Sequence, residues 1–334
     1  MSHFNARNTP FALNNRAAYQ QWRGWKLRHA AESLEELVVA VDDPRRLTDE
    51  EHAALLDVIR HNNMVIYAGT TGSDPDKTIP KTVAARFGLL QLNHNWLADD
   101  DGLTSLTVND DGAHPYYIPY TNRPINWHTD GYYNPGDAQV QGLLLHCVHR
   151  AARGGENALL DHEIAYLLLR DENPDYIAAL MQPDAMTIPP GTDMHGNLRE
   201  AATGPVFSLN PQSGDLHMRY TARRRNIEWK SDPVVREAVA FLEHLLNSDS
   251  PYIYRGTLEP GMGLISNNVL HDRGGFSDLP GKPQRLLYRA RYFDRIVGSG
   301  IDSISEAELD AGEGQKKGDP VAGAASLSEQ PKGN

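Results

Sequence analysis

The chain has 334 residues, of which 40% are hydrophobic and 23% charged, and its formal net charge is −12. That length and composition suit a globular protein with a substantial core, and the acidic balance argues against a nucleic-acid partner or docking on anionic membranes. Cys147 is the single cysteine, which rules out an internal disulfide or a thiolate metal cluster and leaves histidines and carboxylates to hold any metal.

The opening Met1–Asn8 shows no apolar core of a signal peptide, and no run approaches the ~18 apolar residues of a membrane span. With cysteine so scarce, a reducing cytoplasm is the expected location. Thr48, followed by Glu51 three residues later, opens a helix carrying Ala53, Leu55, Leu56 and Ile59. A β-rich segment, Met64–Tyr67, ends at Gly69, and Thr82–Phe87 reads as a short helix. Polar loops cover residues 70–80 and 98–124, and connections of that length often act as lids or binding loops.

Strand-like runs dominate the second half, at 142–148, 206–209, 216–220, 252–258, 263–266 and 285–293. Asn210–Gly214 and Glu259–Gly261 supply turn chemistry between them. Asp232-Pro233 starts an amphipathic helix to Leu246, with Val235, Val239, Leu242 and Leu246 on one stripe. Beyond Ile296 the composition turns to Gly, Ala, Ser, acidic residues and lysine, which predicts a disordered tail over 297–334. Short strands punctuated by Gly and Pro and flanked by helices predict an α+β fold, a β-sandwich or jelly roll with helical decoration.

His128 and Asp130 stand two apart in Asn126-Trp127-His128-Thr129-Asp130-Gly131, so on an extended strand both leave one face. A second imidazole, His271, would complete a two-histidine, one-carboxylate face, the ligand set of non-haem Fe(II) with open positions for a chelating co-substrate and dioxygen. The motif alone carries nothing. With 14 histidines and 44 carboxylates, roughly two His-x-Asp/Glu matches arise by chance, and a histidine capping a turn is the plain alternative. His271 ends an apolar run, Gly263–Leu270, where a histidine bonded to a carboxylate at a strand end is equally ordinary. Alternation over 285–293 places Arg285, Leu287, Arg289, Arg291 and Phe293 on one face and Leu286, Tyr288, Ala290 and Tyr292 on the other. Three arginines on one strand face call for anions between them, and a dicarboxylate answers that need, whereas a solvated face is the alternative for Arg291.

In ordered combination these pieces resemble the taurine dioxygenase family of Fe(II)/2-oxoglutarate-dependent oxygenases. The resemblance rests on Trp127–Gly131, Arg153-Gly154-Gly155-Glu156-Asn157, the Ser266–Arg273 run, Arg285-x-x-x-Arg289, and the opening Leu55–Gly69 with Ala84–Gly88. It covers roughly residues 36–296, leaving 1–35 as an N-terminal extension, and it implies a double-stranded β-helix core. It implies that His128, Asp130 and His271 ligate iron, that Arg285 clamps the distal carboxylate of 2-oxoglutarate, and that Arg289 lies near the co-substrate or a substrate anion. Asn157 stands where the family often has Thr. It further implies oxidation, most simply hydroxylation, of a small polar metabolite with succinate and carbon dioxide as co-products, in a homodimer or tetramer.

For substrate, Asn126, Tyr132 and Tyr133 flank the first ligand pair, and Arg225 within Arg223-Arg224-Arg225 offers charge, though a solvated face explains such a run as well. Trp127 alternates away from His128 and reads as packing, while Asp272 and Asn268 are the neighbours that would orient the imidazoles. Two other classes compete. A metal-dependent phosphohydrolase, suggested by His271-Asp272, expects its ligands on helices; a non-catalytic jelly-roll binding protein gives no reason for the metal face and the arginine strand to occur together.

Overall fold

In a computed structural model, which describes residues 9–93, 99, 102–108, 118–192, 198–223 and 227–310, two β-sheets face one another and helices cover their outer sides. The strands of these sheets are β1 (Val38–Ala40), β2 (Met64–Ala68), β3 (Thr104–Leu106), β4 (Ile125–His128), β5 (Gly142–His149), β6 (Asn157–Leu160), β7 (Tyr254–Gly256), β8 (Met262–Ser266), β9 (Leu270–Arg273) and β10 (Leu286–Tyr292). The larger sheet runs β1–β2–β8–β5–β10–β3 and the smaller β7–β6–β9–β4. Only β1 and β2 pair in parallel among these. The helices are α1 (Arg16–His29), α2 (Asp49–Asn62), α3 (Thr78–Arg86), α4 (His162–Glu172), α5 (Pro174–Leu180), α6 (Pro233–Leu246) and α7 (Glu306–Asp310).

Strand alternation sorts side chains into three apolar layers. Leu144 and Val148 of β5 and Tyr288, Ala290 and Tyr292 of β10 face outward, packing with Leu55, Ile59, Val83 and Phe87 from the segments of α2 and α3. Leu145, Cys147, Leu159, Leu264 and Leu287 meet between the sheets. Ala158, Leu160, Leu270 and Trp127 pack outward under α1, α4, α5 and α6, so Trp127 has the packing role its parity predicts.

Thr48 accepts a hydrogen bond from the Glu51 backbone N–H while the Glu51 carboxylate accepts one from Thr48, so α2 starts where the capping box predicts. The short helix expected at Thr82 begins earlier, at Thr78, because Pro80 sits within its first turn, where a missing N–H costs nothing. The runs at 206–209 and 216–220 form a hairpin, Phe207–Leu209 with Leu216–Met218, outside the two main sheets. Helix α4 has no legible stripe because nearly every residue from His162 to Arg170 is buried.

Residues 1–35, expected as an extension, supply α1, which buries Trp22 and Trp25 and drives Lys26 fully inside. The Lys26 ammonium meets Asp161 and Glu163, each at 2.6 Å, and Asp161 also caps α4 by accepting from Glu163 N–H. The stretch 297–310 departs from the expected tail: Ile301 is buried, its N–H donates to Asp215 Oδ1 at 2.7 Å, and Glu308 of α7 pairs with Arg60 at 3.0 Å. A few anchored contacts outweigh the polar composition there. Residues 311–334 lie outside the described residues. No described helix is long and apolar enough to cross a membrane.

Candidate metal centre

Strands β4 and β9 are antiparallel neighbours, and their ladder sets His128 directly opposite His271. The two rings lie 4.3 Å apart, centroid to centroid. β4 ends at His128, and Asp130 follows in the turn. That turn needs Gly131, whose φ of +70° suits glycine and whose Cβ would collide with Val140. Ligand atoms of His128, Asp130 and His271 all lie within 4.8 Å of one another, the one such group among the described residues. The hydrolase alternative expected ligands on helices, and these come from two strands and a turn.

Backbone carbonyls fix both imidazoles, a correction to the expectation that Asn268 and Asp272 would do so. His128 Nδ1 lies 2.9 Å from Asn126 O, and His271 Nδ1 lies 2.9 Å from Val269 O. A carbonyl only accepts, so each Nδ1 carries the proton and each Nε2 presents a lone pair. Asn268 instead holds the Asp130 backbone: its Oδ1 accepts from Asp130 N–H at 2.8 Å, and its Nδ2 donates to Asp130 O at 2.9 Å and Val140 O at 2.7 Å. Asn268 reaches this position at a φ of +52°, a region asparagine tolerates. Asp272 accepts from Ala158 N–H at 2.8 Å, bracing β6 against β9.

Burial, with His271 adjacent, pushes the His128 pKa down to about 3, so the imidazole is neutral and ready to donate its lone pair. Burial of Asp130 works to raise its pKa, yet Arg289 and then Arg291 hold it below the usual carboxylate range. Arg289 Nη1 donates to Asp130 Oδ1 at 3.2 Å. Asp130 Oδ2 is buried without a partner among the described residues. Two imidazole nitrogens and one carboxylate oxygen therefore converge, and this donor set fits a divalent first-row metal.

Arg285 is buried, with its guanidinium 5.0 Å from the Phe276 ring, and it lines a small cavity with Arg150, Gly154, Gly155, Asn157 and Leu287. Asn157 shares that cavity while its amide donates to Asp272 O at 2.7 Å. Gly154, which also lines it, has a φ of +71° and lets the chain approach Gly275 where any Cβ would clash. Arg273 donates to the carbonyls of Pro119, Thr121 and Arg123, and burial, together with Arg285 and Arg289, lowers its pKa to about 9.

The substrate candidates divide. Asn126 is exposed and contributes its carbonyl to His128. Tyr132 packs edge-on to His128 at 6.5 Å and to Tyr133 at 5.2 Å. Tyr133 OH accepts from Arg291 Nη1 at 2.8 Å. Arg225 lies outside the described residues. Arg291, for which a solvated face was the alternative, is 4% exposed, and strand parity alone marked it for the inner face. Phe293, expected on that face, is 36% exposed because β10 ends at Tyr292.

Comparison with known proteins agrees with this geometry. A uridine-5'-phosphate dioxygenase from Amycolatopsis sp is 34% identical over 175 residues, half of this chain. The match spans 60% of that protein, less than two thirds of its length. A uridine-5'-phosphate dioxygenase from Streptomyces sp is 31% identical over 198 residues, covering 57% of this chain and 68% of that one. Among solved structures, the non-haem iron oxygenase OrfP with Fe and α-ketoglutaric acid superposes with a TM-score of 0.54 at 18% identity, covering 82% of this chain and 90% of that one. Asparagine oxygenase with Fe(II), hydroxyasparagine and succinate gives 0.51 at 15% identity, with 82% and 90% covered. At such identities the likeness is one of fold, and it is the jelly-roll core that both sheets describe. With the model of the taurine catabolism dioxygenase TauD, TfdA family matching residues 26–291, this chain belongs to that family.

Proposed function

We propose that the protein is an Fe(II)/2-oxoglutarate-dependent dioxygenase that oxidises a C–H bond of a small polar metabolite. The overall balance is substrate, 2-oxoglutarate and dioxygen to hydroxylated substrate, succinate and carbon dioxide. One observation carries the reading: His128, His271 and Asp130 Oδ2 converge with every other polar atom of the three side chains already engaged. Bound iron would supply dioxygen activation and the C–H oxidation.

The remaining work falls to the chain itself. Arg285 offers a fork of donors to the distal carboxylate of 2-oxoglutarate, in a cavity that Asn157 also lines. Arg289 neutralises Asp130 and leaves one carboxylate oxygen for the metal. Tyr132 and Tyr133 wall the substrate side and exclude water. The names of the two bacterial relatives support a finer reading, a nucleoside 5'-monophosphate as substrate.

Anaerobic addition of Fe(II) and 2-oxoglutarate is expected to give a weak visible charge-transfer band, which His128→Ala or His271→Ala abolishes. Arg285→Ala should mainly weaken 2-oxoglutarate, by about 10- to 100-fold for loss of a bidentate contact. Screening metabolites, nucleotides first, by substrate-stimulated succinate formation tests class and substrate together. Wild-type protein with neither band nor succinate would remove the proposal.

A further inference from the structure

Among the described residues, the space between the sheets holds more positive charge than the proposed reaction uses. Arg273, Arg285 and Arg291 are each 4% exposed, and the Arg289 side chain is 11% exposed. Asp130 is the one carboxylate among the described residues that pairs with any of them within 4 Å. A divalent ion adds two charges and 2-oxoglutarate removes two, so loading both leaves the surplus as it was. Buried unpaired cations are costly, and the chain as a whole is acidic. The surplus is local.

Three of the four guanidiniums have assignments: Arg273 to backbone carbonyls, Arg285 to the co-substrate cavity, Arg289 to Asp130. Arg291 does not. It lies two residues beyond Arg289 on the same face of β10, about 7 Å along the strand, which puts it beside the metal face. Its guanidinium sits 6.0 Å from the Tyr133 ring and donates to the Tyr133 hydroxyl. A second guanidinium, that of Arg199, lies 6.0 Å from the same ring. Arg199 Nη2 donates to Pro189 O at 2.6 Å and its Nη1 to Glu200 O at 3.1 Å.

Building on the dioxygenase reading, we infer that Arg291, positioned by Tyr133 and joined by Arg199, is the subsite that binds the phosphate monoester of the substrate. A guanidinium can grip a phosphate dianion through parallel N–H donors, and a second one against the same ring adds positive charge to that wall. Tyr132, wedged between His128 and Tyr133, spaces that group from the metal. Arg291 selects substrate by charge and takes no part in the oxidation.

The test is calorimetric titration of the full-length protein, anaerobic with Fe(II) and 2-oxoglutarate, using uridine 5'-monophosphate and uridine as probes. Wild type is expected to bind the monophosphate about 100-fold more tightly than uridine, and Arg291→Gln to remove most of that preference while uridine affinity stays unchanged. Arg199→Gln, on a partly exposed hairpin, should lose about 10-fold for the monophosphate alone, and it decides the matter if Arg291→Gln does not fold. Equal binding of the two probes by wild type, or a loss in the variants that falls equally on both, overturns the subsite and leaves the dioxygenase reading standing. A wild type without the band sinks that reading instead, and the ratio of the two affinities still judges the subsite.

Discussion

Asp130 has two oxygens with different fates: Oδ1 accepts from Arg289, and Oδ2, in its buried setting, has no partner among the described residues. A carboxylate left to rotate would offer either oxygen, or both, to a metal. Arg289→Gln keeps a donor but removes the charge, and it is expected to weaken metal binding by about 10- to 100-fold, as losses beside metal ligands generally do. Co(II) titration followed by absorbance measures this, and an unchanged affinity would show that Asp130 is positioned without Arg289. The three side chains that converge were legible in the sequence because metal chemistry restricts candidates to His and carboxylate. What orients them was not. The carbonyls of Asn126 and Val269 do that, and any residue type supplies a carbonyl. Asn268 was noticed for the wrong reason: its side chain secures the Asp130 turn and leaves the imidazoles alone.

At the level of elements, period-2 alternation placed Leu287, Arg289 and Arg291 correctly because β10 is central and both its faces are buried. Phe293 escaped the rule by lying one residue past the strand end. Helices α1 and α4 went unread for opposite reasons. α4 is buried almost all round, so it shows no stripe, and α1 interleaves its two tryptophans with arginine, glutamine and lysine. Composition also misjudged residues 297–310, where Ile301 and the Arg60–Glu308 pair fasten the chain to α2 and to Asp215. A chain ending at Ile296 should therefore lose roughly 2–4 kcal/mol, the scale of one buried isoleucine and a few hydrogen bonds. Urea unfolding against the full chain checks it, and equal midpoints would mean that this segment only rests on the surface.

Over the whole molecule, stability depends on histidines remote from the metal face. Burial lowers the pKa of His146 to about 4 and, helped by His162, that of His217 to about 3, against an ordinary 6.5. Between those values and 6.5 the unfolded chain holds protons that the folded chain lacks, so stability falls with pH. The contribution is complete above about pH 6.5, and each histidine removes up to about 1.4 kcal/mol per unit on the way down. Urea midpoints at pH 7.5 and 5.5 should differ for wild type, and by less for His146→Gln/His217→Gln. An equal slope in the double variant would assign acid sensitivity elsewhere.

Cys147 gives the molecule a built-in reporter. It is the lone thiol of the chain, wholly enclosed on β5 in the middle of the larger sheet. Alkylation there requires the two sheets to part, so the labelling rate of native protein reads the frequency of core opening with no background from other sulfhydryls. Metal and co-substrate bound at the proposed site would lie between those sheets, and their stabilisation of the closed form would be read as slower modification at one atom.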